Sequence, residues 1–128
     1  MPAGDRPSRG AIAASFRFAG EGLVYLVRMQ RSARIEAAIA AAAIALGAWL
    51  GLGNLEWAVL VLSIALVLIL EGLNTAVELA IDLASPGPHP SAKAAKDLAA
   101  GMVLLAALAS IAVGFALFAP RLLRLAGA

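Results

Sequence analysis

The sequence predicts an all-α integral membrane protein, with three transmembrane helices preceded by an amphipathic helix on the membrane surface. Composition is the first reason. Of 128 residues, 62% are hydrophobic and only 14% are charged, against about 45–50% and about 25% in soluble domains. A soluble globule of that make-up would carry a mostly apolar surface, so the chain belongs in a bilayer. The other reasons are three long runs nearly free of charge, and a helical period in the charges ahead of them. The length suits one domain.

The elements follow in order. Residues 1–13 contain Pro2, Gly4, Pro7, Ser8 and Gly10 and read as a mobile tail. Arg6 and Arg9 imitate the start of a signal peptide, but Arg17 and Glu21 interrupt the apolar stretch that should follow. Over 14–34, Arg17, Glu21, Arg28 and Arg31 share one helical sector, away from Phe16, Leu23, Leu26 and Val27. That is the period of a helix lying in the membrane surface with its basic side toward water. A merely solvated charged face has the same geometry, so the pattern names no function.

The first span is expected over 36–53, because Ala37 to Gly53 holds no charge and just reaches across a hydrocarbon core of about 30 Å. Gly51, Gly53 and Asn54 make a tight connection, and Trp57 suits the interface beyond it. The second span is expected over 56–83. Its uncharged part, Trp57 to Leu70, is too short alone, so the span must carry Glu71 and Asn74 near its far end. Pro86, Gly87, Pro88 and Pro90 predict a loop over 84–92. Leu98 to Pro120 supplies a third span, 96–119, closed by Arg121 and Arg124, with 122–128 as a tail.

Orientation follows from the basic residues. Arg6, Arg9, Arg17, Arg28, Arg31, Arg34, Lys93 and Lys96 would share one side, leaving Arg121 and Arg124 on the other. The positive-inside rule places the first group, and with it the N-terminus and the 84–97 region, in the cytoplasm, in a multi-pass protein of the inner cell membrane. No cysteine is present, which excludes disulfides and thiolate chemistry. No basic patch is interleaved with aromatics, so a nucleic-acid partner is not expected; anionic lipid headgroups account for the basic residues.

Glu71, Asn74, Glu78 and Asp82 lie at intervals of three, four and four residues, within about 80° of arc on a helix. Acids on a lipid-facing stripe would cost a few kcal/mol each near the bilayer centre, so they must face protein, water or a cation. Asp82, and Glu78 with it, could simply emerge into water, but Glu71 is deeper. Carboxylates so placed suit either Mg²⁺ binding against a phosphate or general base catalysis. Glu71 is the better base because it is deeper, and Glu78 the better metal ligand because it is nearer water. Lys96 could neutralise phosphate charge, or Lys93 and Lys96 could both simply anchor the interface. His89, alone between two prolines, reads as a structural loop residue. No phosphate-binding GxxxxGK[ST] loop, GxGxxG, GxSxG or HExxH is present.

The run Glu71-Gly-Leu-Asn74-Thr-Ala-Val-Glu78-Leu-Ala-Ile-Asp82, followed by His89-Pro-Ser-Ala-Lys93-Ala-Ala-Lys96-Asp97-Leu-Ala-Ala-Gly101, resembles the prokaryotic diacylglycerol kinase family. Ser15-Phe-Arg17-Phe18-Ala19 with Gly22, and Arg31 with Arg34, resemble that family's surface helix. The resemblance covers Ser15 to Arg121, so that 14–121 would be one lipid kinase membrane domain. It implies a homotrimer with active sites shared between subunits, ATP as co-substrate, and Mg²⁺. Carried over residue by residue, it makes Glu71 the general base and Glu78 a metal ligand. Asn74 would hold the reacting groups, and Lys96 and Asp97, with Arg17 and Phe18, would bind nucleotide. Gln30 stands where many members carry a second metal-binding Glu, and Glu21 where a basic residue is frequent. Gln30 offers a neutral oxygen, so metal affinity should be weaker.

The implied reaction is ATP-dependent phosphorylation of a membrane lipid alcohol at the cytoplasmic interface. The tract Lys93 to Val103 and the ending Phe118-Ala-Pro-Arg121 resemble the undecaprenol kinase branch more than the diacylglycerol branch. Diacylglycerol, giving phosphatidic acid, is the alternative substrate. From another class, a small proton- or cation-coupled transporter also uses intramembrane Glu. A transporter should hold its acid near the midplane on a continuous polar path, whereas these acids crowd toward one face.

Overall fold

A computed structural model of the chain describes residues 8–127. It is all-helical: α1 (Arg9–Met29), α2 (Arg31–Leu50), α3 (Asn54–Ala84) and α4 (Pro90–Leu125). All four are long and apolar enough to cross a membrane by length and composition, α1 included.

α1 begins at Arg9, earlier than the expected residue 14. Ser8 caps it, its Oγ accepting from the Ala11 N–H at 3.2 Å. The tail expected over 1–13 is therefore helical from Arg9, and residues 1–7 lie outside the described residues. The expected single helix over 14–34 is instead broken at Gln30, whose extended backbone (φ −105°, ψ 115°) separates α1 from α2. Arg34 stabilises the break. Its Nη1 donates to the carbonyls of Val27 at 3.1 Å and Arg28 at 2.8 Å, groups that the end of α1 leaves without helical partners. α2 thus starts at Arg31, about a turn before the expected span.

α2 ends on Gly51 in the left-handed region (φ 71°), with the Gly51 and Leu52 N–H groups donating to the Gly47 carbonyl at 3.0 and 3.2 Å. The chain then folds back against Gly47. A Cβ there would stand 2.8 Å from Leu52 Cδ1 and 3.1 Å from Trp57 Cη2. Beside this turn sits the small core, where Leu52, Leu60 and Phe118 pack with Trp57 and Ile64.

α3 and α4 form the main antiparallel hairpin. With 31 and 36 residues they exceed the roughly 20 needed to cross a bilayer, so the hairpin has length to project beyond the hydrocarbon core. Ser63 Oγ and Ser110 Oγ meet at 2.8 Å between them. The connecting loop is shorter than the expected 84–92, because Pro90 opens α4 as a favourable first-turn residue and His89 caps it, Nδ1 accepting from the Ser91 N–H at 3.1 Å. At its other end α4 runs through Pro120 to Leu125, so residues 122–125 are helical and not a tail. Much of the apolar surface is uncovered: Leu62 and Phe115 are each 70% exposed and Leu83 86%. Only a bilayer or other protein surfaces make such a molecule stable.

Candidate active site

Glu71 and Thr75 are the buried polar residues of α3, each 5% exposed. One helical turn apart, they differ in what they bond. Thr75 Oγ1 donates to the Glu71 main-chain carbonyl at 3.0 Å, a local bond that satisfies the hydroxyl without using the carboxylate. The carboxylate Oε1 instead accepts from Ser32 Oγ in the first turn of α2. Glu36 stands one turn beyond Ser32 on α2. Its Oε2 is buried without a partner.

Farther along the same face of α3, Asn74 Nδ2 donates to Glu78 Oε1 at 3.4 Å, and Asn74 Oδ1 is buried without a partner. Asp82 closes the stripe in an ion pair with Lys96 of α4. Lys93 and Asp97 pair along α4. Lys93 lies ahead of the expected third span, and the hydrogen bond to Asp97, aided by that residue's charge, holds its ammonium above the ordinary lysine value. Asp82, His89, Lys93, Lys96 and Asp97 line a cavity of about 690 Å³ around the α3–α4 loop.

A second cavity of about 620 Å³ runs between α2, α3 and α4. Its walls are mostly apolar, from Leu46, Leu60 and Phe118 to Val67 and Leu68, and Ser32 and Glu36 stand at the end nearest Glu71. The stripe thus begins at Glu71, bonded to Ser32 at the polar end of the apolar groove, and ends at Asp82 on the charged cavity.

Not every expected site residue is gathered here. Arg17 stacks on the Phe18 ring at 5.1 Å and pairs with Glu21 at 3.8 Å, on an exposed face of α1. Gln30 forms the α1–α2 break and its side chain caps neither helix. Among the described residues, none of Arg17, Phe18 and Gln30 makes a hydrogen bond or ion pair to Glu71, Glu78 or Lys96. Ser32, Glu36 and the Asp82–Lys96 pair were not singled out from sequence. Glu36 had one available signal, an acid four residues from Ser32 at the mouth of an uncharged run.

Among the described residues no cluster of three or more His, Asp or Glu is poised to hold a metal ion. The oxygens present do fit Mg²⁺, which takes one or two carboxylates together with phosphate and water. Glu78 supplies a carboxylate, and the orphaned Asn74 Oδ1 a neutral oxygen beside it.

These features define an all-helical integral membrane protein with a carboxylate and lysine site at one end of its main hairpin. Residues 17–118 match the family described as prokaryotic diacylglycerol kinase. A diacylglycerol kinase of Synechocystis sp. (strain ATCC 27184 / PCC 6803 / Kazusa) is 46% identical over 112 residues, covering 87% of this chain and 64% of that protein. An undecaprenol kinase of Bacillus subtilis (strain 168) is 41% identical over 108 residues, covering 84% of this chain and 88% of that protein. The chain belongs to the prokaryotic diacylglycerol kinase family, a family of lipid kinases.

Proposed function

We propose that the protein transfers the γ-phosphoryl group of ATP to the hydroxyl of a membrane lipid alcohol, with undecaprenol as the preferred substrate. The observation that carries this reading is the position of Glu71. It is a buried carboxylate bonded to Ser32, which lines the polar end of an apolar groove, and it shares a helical stripe with Asp82 at the charged cavity.

The lipid chain lies along the groove with its hydroxyl at Glu71. Glu71 takes the hydroxyl proton as the oxygen bonds to the γ-phosphorus and the bond from that phosphorus to the ADP oxygen breaks. Lys96 turns from Asp82 to the phosphates, and Asp97 holds the nucleotide beside it. Phosphoryl transfer asks chiefly for such positioning and charge neutralisation. Mg²⁺, held by Glu78 with the Asn74 amide oxygen and Gln30, would offset phosphate charge. Arg17 and Phe18 approach the nucleotide from α1.

The same proposal includes three spans, α2, α3 and α4, with α1 on the cytoplasmic surface. The charges of α1 support it, since Arg17 and Glu21 pair on its exposed side. The site then faces the cytoplasm. The proposal also takes over the homotrimer that the family resemblance implies, in which a neighbouring subunit completes each site.

Phosphate transfer from labelled ATP in detergent micelles, with Mg²⁺ and with undecaprenol and diacylglycerol side by side, tests the reading. Label in undecaprenol, lost in Glu71→Gln, is expected. Label in diacylglycerol alone would reassign the substrate. No label in either lipid from well-folded protein would remove the kinase reading and bring forward a cation-coupled transporter.

A further inference from the structure

We infer that Ser32 is a positioning residue for Glu71: its hydroxyl fixes one carboxylate oxygen so that the other is presented to the lipid hydroxyl. This rests on the reading of Glu71 as the base.

A serine in a helix commonly turns its hydroxyl back to the carbonyl four residues earlier. Ser32 does not. The break at Gln30 separates that carbonyl from the α2 helix, and the Arg28 oxygen accepts instead from Arg34 Nη1 at 2.8 Å. With no local partner, the Ser32 hydroxyl crosses to α3 and donates to Glu71 Oε1. Among the described residues it is the one side-chain donor on that carboxylate, because Thr75 spends its hydroxyl on the Glu71 carbonyl. A carboxylate that accepts one charge-assisted bond from a fixed donor is held in one rotamer. Its Oε2 is then left for substrate.

Two further features suit this role. Ser32 stands in the first turn of α2, where the helix dipole favours a negative charge. Ser32 also lines the groove beside Glu36, so its hydroxyl links that groove to the Glu71 carboxylate behind it. The break, Arg34 and Ser32 together convert a helix boundary into a support for the reacting group.

The test is a comparison of Ser32→Ala, Ser32→Thr and Glu71→Gln in the micellar transfer assay, with kcat and the KM values for ATP and lipid measured separately. Loss of a hydrogen bond to a charged group should lower kcat of Ser32→Ala roughly ten- to a hundredfold. The KM for ATP stays unchanged, since Ser32 is not at the nucleotide. Ser32→Thr keeps the hydroxyl and should stay within about threefold of the parent, because the same donor remains. In the Glu71→Gln background, Ser32→Ala should add little, as expected of two residues acting as one unit. Equal thermal midpoints for the parent and Ser32→Ala separate positioning from folding. If Glu71→Gln abolishes transfer while Ser32→Ala keeps parental kcat, or changes only a KM, the inference is overturned and the base assignment stands. If Glu71→Gln retains activity, the base assignment itself fails.

Discussion

Arg121, one residue past Pro120 in α4, grips Glu56 in the first turn of α3 with both terminal guanidinium nitrogens, Nη2 reaching Oε1 at 2.7 Å. The pair closes the hairpin at the end opposite Asp82 and Lys96. Glu56 accepts in addition from the Gly53 N–H at 3.3 Å, so the same carboxylate caps α3 and ties it to α4. Two-pronged Arg–carboxylate pairs add geometric specificity that a single contact lacks. Arg121→Gln should therefore lower the thermal midpoint in detergent and leave the KM for ATP unchanged. The exchanged pair Glu56→Arg with Arg121→Glu should recover part of the loss. No recovery would mean that Arg121 acts through its packing and its bond to the Leu117 carbonyl.

The turn between α2 and α3 makes a sharper demand. Gly51 is held at φ 71°, where a side chain costs about 1–2 kcal/mol, so Gly51→Ala should destabilise by about that amount. At Gly47 the obstacle is space, because Leu52 and Trp57 lie where a side chain would go. Gly47→Val should cost about 1–3 kcal/mol by overpacking. Thermal melts of both variants in one detergent check the two figures, and a Gly47→Val melt equal to the parent would show that Leu52 yields freely.

The helices were legible in the sequence because a bilayer imposes long uncharged runs, and Ala37–Gly53 and Leu98–Pro120 are two of them. The ends were less so. Pro120 reads as a stop, yet α4 continues past it; Arg121 and Arg124 bond the carbonyls of Leu117 and Pro120 and sustain the last turns. The break at Gln30 was not legible at all. No Gly or Pro marks it, and what stabilises it is Arg34 reaching back across six and seven residues. In the site, the period of Glu71, Asn74, Glu78 and Asp82 set out one stripe, and the structure turns that stripe toward α2 and α4. Ser32 escaped notice because its role depends on α2 lying against α3, which no local pattern encodes.

Lys96 is bonded to Asp82 although both side chains are partly open, at 38% and 65% exposure. Exposed pairs of this kind contribute at most about 1 kcal/mol to stability, so the proposed use of Lys96 at the phosphates requires little disruption. Lys96→Met should raise the KM for ATP about tenfold or more, in line with losing a charge-assisted hydrogen bond, while the KM for the lipid and the thermal midpoint stay close to the parent. A parental KM for ATP would remove Lys96 from the nucleotide site and leave it as a tie between α3 and α4.

Gln30 tests the metal side of the proposal from a different direction. Its backbone makes the break between α1 and α2, and its side chain caps neither helix, so a substitution that keeps side-chain length should leave the fold alone. Glu in its place would add a charged oxygen donor for Mg²⁺, a cation that favours carboxylate over amide oxygen. In the transfer assay Gln30→Glu should therefore reach half-maximal rate at a lower Mg²⁺ concentration. Treatment with a chelator should abolish transfer in the parent at lower chelator concentration than in the variant. Glu78→Gln should shift the Mg²⁺ requirement in the opposite sense, upward. An unchanged Mg²⁺ dependence in Gln30→Glu, with Glu78→Gln shifted as expected, would place the metal on α3 alone and take Gln30 out of the ligand set.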